Sequence, residues 1–197
     1  VTDDKTLGVY DEKAGDYARL MDHEAIPPTA LNKFLSALPE RGTVLDLGCG
    51  PGSWARYMVK AGFRVDAIDA SAGMVRKASA IEGLNVWQAD FSDIQAVAKY
   101  DGIWANFSLL HARRAEMPAH LARLKTALRS DGRLHLGLKE GTGEARDSLG
   151  RFYTYYTVAE IRDLLAQIGL SVSDLRTGAD KGLDGTVAAW FTLTAHG

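Results

Sequence analysis

The stretch Val44-Leu45-Asp46-Leu47-Gly48-Cys49-Gly50-Pro51-Gly52 restricts this chain more than any other part of it. An apolar run enters three glycines in five positions, and a helix-forming segment begins at once with Ser53. Glycine tolerates positive φ and lets a ligand approach the main chain, while the first turn of the next helix leaves N–H groups without intrahelical partners. Strand, bare turn and helix in that order predict a ligand crevice at the strand's end. Asp46 sits at that end, where a carboxylate orders the turn or meets an ammonium group.

From residue 43 onward, short β-prone runs alternate with helical periods, the pattern of βαβ units in a mainly parallel sheet. Thr43–Leu47, a helix over Ser53–Ala61 stopped by Gly62, and Arg64–Ile68 make the first unit. Ser71 caps a helix running to about Ser79, and Leu84–Gln88 and Gly102–Ala105 read as further strands. Met117, Leu121, Leu124 and Leu128 share one face of a helix that Asp131-Gly132 ends, ahead of a strand at Arg133–Leu138. Thr157 and Glu160 form a capping box before a helix stopped by Gly169. Leu170–Thr177 and Thr186–Ala195 have no helix between them, so they pair antiparallel. An N-terminal helical segment is expected around Glu12–Met21.

At 197 residues, with 46% hydrophobic and 24% charged residues, one domain of ordinary globular composition is expected over 1–197. The formal charge of −2 gives no electrostatic footprint for a phosphate backbone, so nucleic acid is not expected as a partner. Cys49 is the sole cysteine, which excludes an internal disulfide and favours a cytoplasmic setting. No apolar run approaches a membrane span, so no membrane partner is expected, and no metal site is foreseen.

A dinucleotide fingerprint is the rival reading of the turn, since Gly48-Cys49-Gly50 and an acidic Asp69 after the next strand fit part of it. Its third glycine falls on Ser53, and Asp46 would repel a pyrophosphate. With Asp46 in place, Val44–Gly52 resembles motif I of the class I S-adenosylmethionine (AdoMet) dependent methyltransferases, an acidic residue followed by Gly-x-Gly-x-Gly. The resemblance covers nearly the whole chain. It implies an α/β, Rossmann-like three-layer sandwich, whose mainly parallel seven-stranded sheet ends in an antiparallel hairpin. Residues 1–40 become a helical lid segment and 43–197 the Rossmann-like core.

The same resemblance assigns cofactor roles. Asp46 orders the loop facing the methionine moiety, Gly48, Gly50 and Gly52 line the cofactor, and Cys49 packs. Asp69 accepts both ribose hydroxyls. Ala70, Ser71 and Met74 pack the adenine, with Met74 equally suited to the core of its helix. Asp90 and Phe91 resemble the adenine-recognition site, against the alternative of a surface turn. Ala105 and Asn106 stand at the fourth-strand exit beside the sulfonium. The signatures of amino-group methylation on nucleic acids and of cytosine C5 methylation are both missing from that exit.

For the acceptor side, His111 follows the fourth-strand loop, where it either acts as a base or caps the next helix. Tyr10 and Tyr17 are seven apart and share a helical face, as a lid over the cofactor or as plain packing. The connection Gly141–Tyr156, polar and then aromatic, is expected to wall the acceptor pocket. The sequence thus predicts methyl transfer to a small-molecule acceptor. A nicotinamide-dependent oxidoreductase and a non-catalytic AdoMet-binding regulatory module are the alternatives.

Overall fold

The computed structural model describes residues 3–21 and 29–197; the part of the expected lid segment at 22–28 lies outside them. The strands are β1 (Thr43–Leu47), β2 (Arg64–Asp69), β3 (Leu84–Gln88), β4 (Tyr100–Asn106), β5 (Leu128–Lys139), β6 (Glu144–Arg146), β7 (Phe152–Thr154), β8 (Ser171–Lys181) and β9 (Val187–His196). The helices are α1 (Asp4–Glu12), α2 (Ala14–Met21), α3 (Thr29–Ser36), α4 (Ser53–Lys60), α5 (Ala72–Ala78), α6 (Met117–Ala127) and α7 (Val158–Gln167).

Seven strands form one sheet in the order β3-β2-β1-β4-β5-β9-β8. The first five run parallel, and β9 is antiparallel to both β5 and β8, as the helix-free link between the last two strands requires. Chain order reverses between β1 and β4, so their carboxyl ends leave a crevice between oppositely directed connections.

Alternation along the central strands sorts the core into two layers. Leu45, Leu47, Ile103 and Ala105 face one way, packing with Leu121 and Leu124 of α6 and Ile161 and Leu165 of α7. Val44 and Trp104 face the other way, with Leu31 and Phe34 of α3 and Ala55 and Met58 of α4. The result is the expected three-layer α/β sandwich.

Two element boundaries differ from expectation. The N-terminal segment is two helices rather than one around Glu12–Met21, with Lys13 between them outside helical geometry at φ −98° and ψ 12°. Contacts at the end of α1 fix its direction ahead of the break, because Asp11 is bonded to Ser71 at the start of α5 and Tyr10 to His111. Asp131-Gly132 does not end a helix: α6 stops at Ala127, and both residues lie inside β5. There β5 advances from Leu128 to Arg133 while β4 advances only from Tyr100 to Gly102, so the turn-forming pair occupies a bulge.

The capping box at Thr157 forms as read, with Thr157 Oγ1 accepting from the Glu160 N–H and the Glu160 carboxylate accepting from the Thr157 N–H at 2.7 Å. Replacing Thr157 with Ala should lower stability by about 1 kcal/mol, read as a shifted midpoint in urea unfolding with an unchanged m-value.

Candidate active site

The glycine turn is held by the Asp69 carboxylate and has spent its own donors. Gly48 and Cys49 N–H both reach the Ile68 carbonyl, at 2.8 and 2.9 Å, and Gly52 N–H reaches Cys49 O at 3.0 Å. Gly50 N–H donates to Asp69 Oδ2 at 2.8 Å, and Pro51 has no N–H to give. Asp69 Oδ1 accepts from Ser71 N–H at 2.9 Å, so one side chain ties the turn after β1 to the turn after β2. At the start of α4 the Ala55 N–H favours the ionised form of Asp46.

Glycine is required at this turn on steric grounds as well. Gly48 has φ +70°, and a Cβ there would fall 2.3 Å from Ser108 Cβ; Gly52 has φ +86°, and its Cβ would fall 2.5 Å from Ile81 Cδ1. A Cβ at Gly50 would meet Tyr17 Cε1 at 3.5 Å, which places the ring of α2 over the turn.

Asp46 is 2% exposed, and its Oδ2 has no hydrogen-bond partner among the described residues. Burial, then the charge of Asp69, pushes its pKa up to about 7. Burial likewise raises Asp69, against the backbone N–H groups that favour its ionised form. Cys49 is buried, and burial followed by the two nearby carboxylates raises its thiol, which leaves it a packing group rather than a nucleophile.

Ser71 caps α5 as expected, accepting from Met74 N–H at 3.1 Å. The sequence did not reveal Asp11, whose Oδ1 accepts from Ser71 Oγ at 2.5 Å and Gly73 N–H at 2.9 Å. It thereby clips α1 onto the start of α5 beside the Asp69 loop. Met74 is buried, Ala70 O accepts from the Gln88 side chain, and Ala89 N–H reaches Asp69 O. Asp90 caps a short 3-10 turn over Phe91–Asp93, and Phe91 packs edge-on against His120 of α6. Ala105 is buried in the sheet, and Asn106 Oδ1 lies 3.3 Å from His135 Nε2.

A cavity of about 680 Å³ opens beside this turn. Of the residues named from sequence, Tyr10, Tyr17, Asn106 and His111 line it; the carboxylates and glycines do not. Tyr10 and Tyr17 do meet, with ring centroids 5.7 Å apart, although they stand on different helices. Tyr153 and Arg151 bring the Gly141–Tyr156 connection onto the wall, whereas Glu144–Arg146 lies off it. The far wall is the β8–β9 hairpin, with Arg176, Asp180, Lys181 and Trp190, joined by Lys139 from the end of β5. Alternation and register carried this signal: Trp190 pairs with Lys139 on one side and Gly178 on the other, and a Cβ at Gly178 would fall 2.4 Å from the Trp190 ring.

His111 has both ring nitrogens engaged. Nδ1 lies 2.6 Å from Phe152 O, which can only accept, so Nδ1 carries the proton and Nε2 accepts from the Tyr10 hydroxyl at 2.8 Å. Burial holds the ring neutral, with its pKa down at about 4. Arg151 donates to the Tyr10 oxygen at 3.3 Å and is itself paired with Asp147 at 2.7 Å.

Residues 44–132 match a family described as "Methyltransferase domain". The chain is 36% identical over 93 residues to malonyl-[acyl-carrier protein] O-methyltransferase of Pseudescherichia vulneris, an alignment covering 44% of this chain and 36% of that protein. It thus spans little more than a third of the length of that curated relative. In structure it is similar to Burkholderia thailandensis 1,6-didemethyltoxoflavin-N1-methyltransferase, solved with its acceptor and S-adenosylhomocysteine, at a TM-score of 0.77 and 23% identity over 98% of this chain and 88% of that one. A TehB-like AdoMet-dependent methyltransferase of Corynebacterium glutamicum superposes at a TM-score of 0.70 and 17% identity, covering 96% of this chain and 98% of that one.

Residues 44–132 form a methyltransferase domain. Its motif and fold are those of the Rossmann-like, class I, AdoMet-dependent methyltransferases, as the glycine turn led one to expect. No helix among the described residues is long and apolar enough to cross a membrane.

The raised pKa of Asp46 has a consequence for stability. Between the ordinary carboxylate value and about 7 the folded state holds a proton that the unfolded state has released, so this group makes the fold less stable as pH rises through that window. His111 and His135, held low by burial, work in the opposite direction. The difference between wild type and Asp46→Asn isolates the carboxyl. Urea unfolding from pH 4 to 7 should show the variant gaining stability relative to wild type as pH rises, and a constant difference would refute the buried, protonated carboxyl.

Proposed function

We propose that this chain is a methyltransferase that moves the methyl group of AdoMet to a small-molecule acceptor held in the 680 Å³ cavity. The observation that carries the reading is the unpartnered oxygen of Asp46, buried close to Asp69 at a turn whose N–H groups are already bonded. A pair of carboxyls at a turn whose own N–H groups are bonded suits a cationic nucleoside, whose charge favours their ionised form, and disfavours a diphosphate and hence a nicotinamide cofactor.

In this proposal Asp69 receives the ribose hydroxyls on the lone pairs its two backbone bonds leave free. Asp46 faces the methionine moiety, and Gly48, Gly50 and Gly52 let the ligand approach the main chain. Cys49 packs under the turn. Ala70, Ser71 and Met74 flank the adenine, with Asp90 and the Phe91 N–H at its edge. Ala105 and Asn106 bring the β4 exit beside the sulfonium, while Tyr10 and Tyr17, in the N-terminal segment, cover the cofactor and separate it from solvent.

AdoMet supplies a methyl group on a positively charged sulfur that is its own leaving group. The acceptor's lone pair forms the new bond to carbon as the carbon–sulfur pair withdraws to sulfur, and a proton-bearing acceptor then releases its proton. The chain's main contribution is alignment, worth as much as about 7–11 kcal/mol, more than a base commonly supplies. His111 accepts that proton by way of the Tyr10 hydroxyl, its only free lone pair being directed there.

The names of the similar proteins pair this fold with an O-methyl product in one case and a ring N1 in another. They do not fix the acceptor atom here. Screening metabolites for conversion of labelled AdoMet to S-adenosylhomocysteine tests turnover directly.

Asp69→Asn should weaken AdoMet binding about 100-fold in calorimetry while the protein remains folded by circular dichroism, and unchanged affinity would refute the assignment. Tyr10→Phe keeps the ring and loses the relay; kcat on a proton-bearing acceptor should fall about 100-fold with AdoMet affinity little changed. An unaltered kcat would remove Tyr10 and His111 from proton transfer.

A further inference from the structure

The cavity wall is rich in hydrogen-bond donors and poor in acceptors. Lys139, Arg151, Arg176 and Lys181 face it with positive charge, and Asp180 is its single carboxylate among the described residues. Two of these charges are accounted for: Arg151 is paired with Asp147, and Asp180 accepts from Trp190 Nε1 at 2.8 Å. Lys139 has no carboxylate within ion-pair distance among the described residues; its ammonium sits 3.8 Å from the centre of the Tyr153 ring, and burial lowers its pKa. Arg176 and Lys181 likewise have no ion pair among the described residues.

Trp104 adds a neutral donor. It borders the cavity at 1% exposure, and its Nε1–H has no partner, a condition that costs free energy until something accepts from it. The other large surfaces of the wall are aromatic: Trp54, Phe107 and Trp190 join the Tyr10–Tyr17 pair. Phe107 is presented from a left-handed backbone at φ +57°, a strained conformation for a bulky residue and one that recurs at ligand sites.

Unpaired cations over aromatic walls specify the missing partner by chemistry. We propose that the methyl acceptor is a planar molecule bearing an anionic oxygen group, a carboxylate or phosphate, with Lys139, Arg176 and Lys181 meeting its charge and the tryptophans stacking on its plane. This rests on the cavity being the acceptor site of the reaction proposed above.

Three of the chain's four tryptophans line the cavity, so their fluorescence reports occupancy without turnover. The probes are 2-naphthoate, 2-naphthyl phosphate and the uncharged 2-naphthamide, titrated with S-adenosylhomocysteine present. At least one anion should bind about tenfold or more tightly than the amide, and whichever does identifies the oxyanion. Lys139→Gln and Arg176→Gln should each weaken that anion about tenfold and leave the amide unaffected, while Lys77→Gln on α5 changes neither. Equal or tighter amide binding, no quenching by any probe, or loss of anion binding equally in the Lys77 variant would overturn the proposal. AdoMet calorimetry on the same variants separates the two levels. Retained anion preference without AdoMet binding would sink the methyltransferase reading alone, and AdoMet binding without anion preference would sink this inference alone.

Discussion

Two acidic side chains at the carboxyl ends of adjacent parallel strands, Asp46 buried and Asp69 partly buried, are the constraint on which the site rests. Asp69 spans from Gly50 to Ser71 and satisfies main-chain donors of two turns, while Asp46 is the buried carboxyl close to it. Loss of solvent raises the proton affinity of both, and no cation among the described residues is paired with either. In the function proposed, a cationic ligand offsets that loss, so that stability and ligand choice depend on the same pair of carboxyls.

The second dependence is topological. Because β1 and β4 are neighbours with connections leaving in opposite directions, the glycine turn, the β2 loop and the β4 exit converge at one end of the sheet. The antiparallel β8–β9 hairpin extends this end into a wall, since no helix covers its last residues. The N-terminal helices complete the enclosure through named contacts: Asp11 to Ser71, Tyr10 to His111, and Asp3 to Arg146 at 2.7 Å. The loop after β2 and the wall of the cavity are thus linked through the same short stretch of chain.

What could be read from sequence was local. The glycines of the first turn, the caps at Ser71 and Thr157, and the helix-free link before the last strand each declare themselves within a few residues, and all are found where expected. Asp131-Gly132 misled because the same dipeptide that ends a helix also fills a bulge, and only the pairing of β4 with β5 distinguishes the two. Asp11 was illegible since its partners lie about sixty residues away. Lys139, Arg176 and Trp190 come together only through sheet register, although the spacing of Ala188, Trp190 and Thr192 already put those three on one face. Tyr10 and Tyr17 were expected on one face of a single helix; they stand on two helices and their rings meet across the bend at Lys13.

The central claim is that this crevice selects a positively charged nucleoside over a diphosphate. Parallel calorimetric titrations of the unmodified protein with AdoMet and with reduced nicotinamide adenine dinucleotide, at neutral pH and the same ionic strength, test it most directly. The account predicts one saturable site for AdoMet and no measurable heat of binding for the dinucleotide. Saturable binding of the dinucleotide with none for AdoMet would contradict it.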